Sequence, residues 1–204
     1  VTASPRHDDH ALVLAAQGGD RAALDELLRT HYDRVLAVCR RITGNEADAA
    51  DAAQEAMIAL VRGLQRFDGR SAFSTWAYRV ATNASLDELR RRRRRPVAQN
   101  LAGEGGHDER QAPELGDPSA GLPFDRIGER EAIEAALVTL PDEFRVPVVL
   151  RDVADLEYAD IADILGVPVG TVKSRIARGR AQLAGRLQPP GNLPDDSQRP
   201  TEAP

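Results

Sequence analysis

With 204 residues, 29% of them charged and only 4% aromatic, the chain has room for one or two small domains with real cores, built mainly from helices rich in Ala, Leu, Val and Arg. The single cysteine, Cys39, excludes an internal disulfide and a cysteine-based metal cluster, and no apolar run approaches the ~18 residues of a membrane helix. The polar opening VTASPRHDDH lacks a signal-peptide core, so membrane insertion is not expected and a cytoplasmic location is. The net charge of −5 is segregated: Arg70 to Arg95 and Lys173 to Arg186 are basic, while Asp8 to Glu55 and the stretch after Pro96 are acidic. One chain therefore offers two patches suited to DNA and acidic surfaces for other partners.

Residues 1–8 read as a disordered N-terminus, and a first helical domain spans 9–95. Its first helix runs from about Asp9 to Gln17 and stops at Gly18 and Gly19. Asp20 caps a longer helix, Arg21 to Thr43, whose Leu24, Leu27, Leu28, Val35, Val38 and Ile42 keep helical spacing, and Gly44 ends it. Cys39 falls at an apolar position and reads as a small core residue, while His31 reads as a surface histidine. Asn45 caps the third helix, whose first turns carry Glu46, Asp48, Asp51 and Glu55 at the positive end of its dipole, with Met57, Leu60, Val61 and Leu64 as its buried stripe. After Asp68, Gly69 and Arg70 a fourth helix runs from about Ser71 to Arg94, with Phe73, Trp76, Ala77, Val80 and Ala84 at core spacing and six arginines, Arg90 to Arg95, before Pro96, which is expected to end it. Such a run needs a polyanion or free solvent.

Residues 96–126, rich in Gly, Pro, Glu and Asp without apolar periodicity, read as a flexible acidic linker, and its composition suits both a plain tether and a nucleic-acid mimic. A second helical domain spans 127–187. Pro147 lies inside the helix expected from Pro141 to Asp152, so that helix starts late or bends. The stretch YADIADILGVPVGTVKSRIARGRAQL then reads as a helix-turn-helix. Ile161, Ala162 and Leu165 form the first helix's inner face, Gly166 takes the turn, and Pro168 fits the first turn of the next helix. Val172, Ile176 and Leu183 then point inward, and Lys173, Arg175, Arg178 and Arg180 form a cationic face without an acid among them. Residues 188–204 read as a disordered tail. No phosphate-binding glycine loop or metal-ligand spacing occurs and the four histidines are scattered, so no catalytic residue, cofactor or metal is expected.

The ordered set DAADAAQEAMIAL, FDGRSAFSTWAYRVATNASLDELRRR, LPDEFRVPVVLRDV and the helix-turn-helix resembles the extracytoplasmic-function group of the sigma-70 superfamily, over nearly all of Asp9 to Leu187. The resemblance implies an all-α, two-domain, non-enzymatic subunit that binds core RNA polymerase through its β′ clamp and β flap, directs it to promoter DNA and helps melt it. It implies that Asp51, Gln54 and Glu55 face the clamp coiled coil, where carboxylates and an amide can pair with arginines. It implies a −10 segment in which the loop Asp68 to Ala72, with Arg70 and Ser71, helps form a pocket for an extruded base. Beside the strand lie Ser74, Thr75, Trp76, Arg79 and Asn83, followed by Arg90 and Arg91, although Trp76 and Phe73 read as core residues before stacking platforms. For the −35 element it implies base-edge contacts from Ser174 and Arg178 and phosphate or mixed contacts from Thr171, Lys173 and Arg175, with Ala177 too small to press on a thymine methyl. An anti-sigma partner covering the polymerase-binding faces is implied as well. Glu157 departs from the Ser or Thr common at the cap of the helix-turn-helix, which bears on stability. The alternative reading is a helix-turn-helix regulator that binds duplex DNA without polymerase and needs no melting segment.

Overall fold

The structure, a computed structural model, describes residues 8–100 and 124–187, all helices and turns. The expected tail at 188–204, nearly all of the expected N-terminal disorder and most of the expected linker lie outside the described residues. Helices α1 (Asp8–Gln17), α2 (Arg21–Thr43), α3 (Glu46–Gly63) and α4 (Phe73–Asn100) form the first half, with a 3₁₀ turn at Leu64–Arg66 after α3. Helices α5 (Phe124–Val138), α6 (Asp142–Asp152), α7 (Tyr158–Leu165) and α8 (Val169–Leu187) form the second.

The caps follow the local chemistry. Asp20 accepts hydrogen bonds from the backbone of Ala22 and Ala23 at 2.9 and 3.2 Å, satisfying amides that have no partner inside α2. Gly44 closes that helix with a φ of 79°, a region that disfavours side chains. Asn45 then accepts from Asp48 N at 2.8 Å and opens α3. Because α3 presents Ala49, Ala52, Ala53 and Ala56 inward, it packs closely against α2 and α4, around Leu27, Val35, Leu60 and Phe73.

A second core is shared between the halves. Val38 and Ile42 of α2, with Tyr78 and Leu89 of α4, pack into one cluster with Leu137, Leu140, Val149, Ile161, Val172 and Ile176. Polar contacts flank it: Arg41 donates to Glu134 at 3.0 Å and Arg93 to Asp142 at 2.7 Å. Arg145 is 4% exposed beside them, and desolvation pulls its pKa down while Asp142 opposes the shift. It donates to the Val138 carbonyl at 3.0 Å and to Asp142 at 2.7 Å.

Three local expectations are corrected or resolved. Pro96 does not end the fourth helix, which continues to Asn100, because a proline removes one amide donor and the remaining backbone bonds carry the helix past it. Pro147 sits within α6, buried, and the carbonyl it leaves without a helical donor belongs to exposed Glu143. His31 is not a surface histidine: it is 1% exposed and its Nε2 lies 3.1 Å from both carboxylate oxygens of Asp9, itself buried on α1.

Candidate nucleic-acid and polymerase interface

The helix-turn-helix is set by two turns. Gly166, with a φ of 64°, caps α7 through its amide to the Ala162 carbonyl, and the Pro168 carbonyl accepts from Thr171 and Val172 to begin α8. Pro168 thus stands one residue before the helix. The Glu157 side chain makes no capping bond to α7 and instead accepts from Arg151 at 3.2 Å. The inner face of α8 is Val172, Ile176 and Gly179, with Leu183 half-buried. A Cβ on Gly179 would lie 2.7 Å from Val148 Cγ2, so glycine is what lets α8 approach α6.

Lys173, Ser174 and Arg178 are exposed on the outer face, and Thr171 and Arg175 are half-buried at its edges. Arg175 and Arg178 have no ion-pair partner among the described residues and remain available to an anion. Lys173 Nζ lies 5.5 Å from the Tyr158 ring centroid, with Arg151 over the same ring at 5.1 Å. Ser174 donates to the Thr171 carbonyl at 2.9 Å, which leaves its oxygen best suited to accept. Arg180 departs from expectation. It is tied to Asp152 of α6 through two hydrogen bonds, which push its pKa up and withdraw it from the free cationic face.

On α3, Asp51, Gln54 and Glu55 are all exposed on one face, and half-buried Ile58 continues that stripe one turn on. This face is polar and acidic at its start, with a single half-buried apolar residue beyond it.

The third set is split by the fold. Arg70, Ser71, Arg79 and Asn83 are exposed, and Ser74 and Trp76 are half-buried. Thr75 is 8% exposed and faces inward, so it does not join the outer face. Trp76 packs on Phe67 at 5.0 Å between centroids and on Phe73 at 5.5 Å, and it lies across Gly63, where a Cβ would meet it at 2.9 Å. Phe73 in turn meets the His31 ring at 5.0 Å. Both aromatics therefore do the packing expected of core residues. In the arginine run, Arg90 pairs with Asp87 at 2.6 Å and Arg91 with Glu88 at 2.8 Å, while Arg92 reaches Asp48 and Arg93 reaches Asp142. Consecutive positions point around the helix, so the run feeds several neighbours.

Between α1 and residues 67–73 lies a cavity of about 390 Å³, at the small end of the roughly 300–1,000 Å³ range of ligand pockets. Asp68 shapes its loop wall by accepting from Arg70 N at 3.1 Å, and Gly69 takes the left-handed turn at a φ of 70°. The opposite wall is α1. Sequence reasoning missed Gln17, whose side-chain amide donates to the carbonyls of Leu64 and Phe67, each at 2.9 Å. Its partners are 47 and 50 residues away, so no local pattern signals it.

The description "Sigma-70 region 2" matches residues 27–95 and "Sigma-70, region 4" matches residues 130–183. The RNA polymerase sigma-H factor of Pseudomonas aeruginosa is 34% identical, over 90% of this chain and 96% of that protein. The ECF RNA polymerase sigma factor SigM of Mycobacterium tuberculosis is 39% identical, over 89% of this chain and 87% of its own. Among solved structures, CnrH in complex with the cytosolic domain of CnrY shares the fold, with a TM-score of 0.60 over 87% of this chain and 96% of that one at 24% identity. The sigma factor RpoE of Bartonella quintana, in complex with the anti-sigma factor NepR, does so with a TM-score of 0.62 over 80% and 95% at 20% identity. A stand-alone regulator would not carry region 2 ahead of region 4, and with both matched in order the chain belongs to the extracytoplasmic-function group of RNA polymerase sigma factors, within the sigma-70 superfamily.

Proposed function

We propose that the three exposed sets divide the work of this sigma factor. Asp51, Gln54 and Glu55 bind the β′ clamp of core polymerase; α8 reads the −35 element through Ser174 and Arg178, held on phosphates by Thr171, Lys173 and Arg175. Arg70, Ser71, Ser74, Arg79 and Asn83 receive the melted −10 strand, with one base extruded into the cavity beside the loop at 68–72. Arg90 and Arg91 meet the strand's phosphates, Arg90 by exchanging its exposed partner Asp87 and Arg91 through the exposed part of its guanidinium while it keeps its pair with buried Glu88. Trp76 supports this face from beneath, and Thr75 fixes the helix that carries it. Extruding a base costs a few kcal/mol of stacking, which pocket contacts and backbone neutralisation offset.

The observation that carries this reading is that Arg178 and acceptor-ready Ser174 share the outer face of α8 with Arg175 at its edge, neither arginine having an ion-pair partner among the described residues, while the acidic face lies on a different helix. Among the described residues no helix is long and apolar enough to cross a membrane, and the protein acts in the cytoplasm, where polymerase is. An anti-sigma factor that covers the α3 face regulates it, in line with the NepR complex of a protein of the same fold. The reading is tested by run-off transcription with sigma-free core polymerase on a bacterial promoter library. Specific transcripts with common −35 and −10 elements are expected; binding to duplex DNA without any transcript from its own host's core would overturn it.

A further inference from the structure

Helix α1 lies before the stretch matched as region 2, which begins at residue 27, yet it is fixed to the −10 segment at both ends. At its start Asp9 pairs with His31, buried together, and the His31 ring packs on Phe73, the first residue of α4. At its end Gln17 spends both amide hydrogens on Leu64 O and Phe67 O, and Gln65 donates back to the Gln17 carbonyl at 3.1 Å. Those two carbonyls bracket the 3₁₀ turn and mark where the 68–72 loop leaves the fold. Between the anchors, Val13, Leu14 and Gln17 form one wall of the 390 Å³ cavity whose other wall is that loop.

We propose that α1 is the far wall of the pocket for the extruded −10 base and that Gln17 is a positioning residue for it, an inference that rests on the base-pocket reading above. Gln17 touches the loop's root rather than the base. Without its two bonds, the Phe67 carbonyl loses its side-chain donor and the loop is free to shift against α1, opening a cavity whose grip on a base depends on both walls. The wall carries apolar Val13 and Leu14, which supply shape and desolvation, beside polar Asp9 and His10 at its start.

The test uses holoenzyme assembled with core polymerase and single-stranded non-template oligonucleotides carrying a −10 element taken from a transcribed promoter. Each oligonucleotide is compared with versions carrying an abasic site at successive positions. The wild type is expected to bind the intact strand about tenfold tighter than the strand abasic at the extruded position. In Gln17→Met, which keeps length without donors, and in Gln17→Glu, which sets a carboxylate against two carbonyls, that ratio falls to near one while affinity for the abasic strand is unchanged. Two substitutions guard against one that fails to fold. A folded variant that retains the wild-type ratio, or one that loses affinity equally for both strands, overturns the proposal. Should the wild type make no distinction at any position, the base pocket itself fails and this inference falls with it, a result separable from the other two.

Discussion

Asp142 accepts a hydrogen bond from Arg93 at 2.7 Å, joining the first turn of α6 to the arginine run of α4. The same carboxylate holds buried Arg145, so one residue serves both the region 4 core and its contact with region 2. This closed arrangement conflicts with reading both promoter elements at once. Elements centred near −35 and −10 lie roughly 85 Å apart along B-form DNA at ~3.4 Å per base pair. A folded body of this size has a radius of gyration of about 15 Å. On the division of work proposed above, the two halves therefore separate in the open promoter complex. Arg93→Glu sets two carboxylates against each other and is expected to increase the open fraction of the free protein, measured by energy transfer between dyes on cysteines introduced at exposed Glu26 and Asp163. Unchanged transfer, in the variant and on joining core polymerase and promoter, would contradict this.

Removing Asp142 differs from removing Arg93. Asp142→Ala strands the buried Arg145 charge and is expected to cost about 2–3 kcal/mol, less than a fully buried pair because Asp142 keeps partial solvent access. Arg93→Ala breaks a solvent-screened contact and should cost under ~1 kcal/mol. Urea unfolding of the two variants checks the order, and equal losses would show that Arg145 draws its support from the Val138 carbonyl instead.

Local chemistry made much of this legible beforehand. Asp20, Gly44, Asn45 and Gly166 mark helix ends because a cap acts within a few residues of the end it satisfies. The exposed faces of α3 and α8 followed from helical spacing. What spacing could not reveal was which partner each polar group finds across the fold: His31 with Asp9, Gln17 with the 3₁₀ turn, Arg180 with Asp152. Periodicity places Thr75 beside Ser74 and Trp76 without saying how deep the groove there is, and only packing shows that it is buried. Pro96 illustrates the opposite error, a local rule overridden by a helix already established before it.

Cys39 is fully buried between α2 and α4, and desolvation pushes its thiol pKa up, as burial does for the Tyr78 phenol against the opposing Arg34 charge. Both folded-state values are raised, so the stability tied to the neutral forms is intact below the unfolded pKa values and is lost as pH rises through the folded ones. Stability is therefore expected to be flat in these two groups near neutrality and to decline above about pH 9. Cys39→Ala should remove the thiol's share of that decline. Iodoacetamide should modify native Cys39 only at the rate at which the core opens; modification as fast as that of a free thiol would refute the burial argument.

Two glycines of α8 should respond oppositely to alanine. At Gly179 the new methyl meets Val148 Cγ2 at 2.7 Å and the Phe144 carbonyl at 3.2 Å, so Gly179→Ala is expected to cost about 1–3 kcal/mol and to tilt the recognition helix. At Gly170 nothing lies within 4 Å of the added carbon, and Gly170→Ala should stabilise by up to ~1 kcal/mol through helix propensity and a less flexible unfolded chain. Thermal unfolding gives both signs, and stabilisation at both sites would mean that propensity, not contact, governs this helix.

The recognition helix separates specificity from attraction. Arg178, exposed and without an ion-pair partner among the described residues, is the residue proposed to fork onto a guanine edge, so Arg178→Ala should cost about 1–3 kcal/mol on the preferred −35 element and relax the preference at one base pair. Lys173→Ala should weaken binding to all sequences alike and reduce the salt slope by about one. Arg180→Ala should change neither, because Asp152 already neutralises that charge. Holoenzyme binding to duplex promoters varied through the −35 element, at several salt concentrations, distinguishes the three. If Arg180→Ala lowered the salt slope as Lys173→Ala does, then Asp152 would be yielding its arginine to phosphate, and the cationic face of α8 would extend a turn further along the groove than the folded protein alone displays.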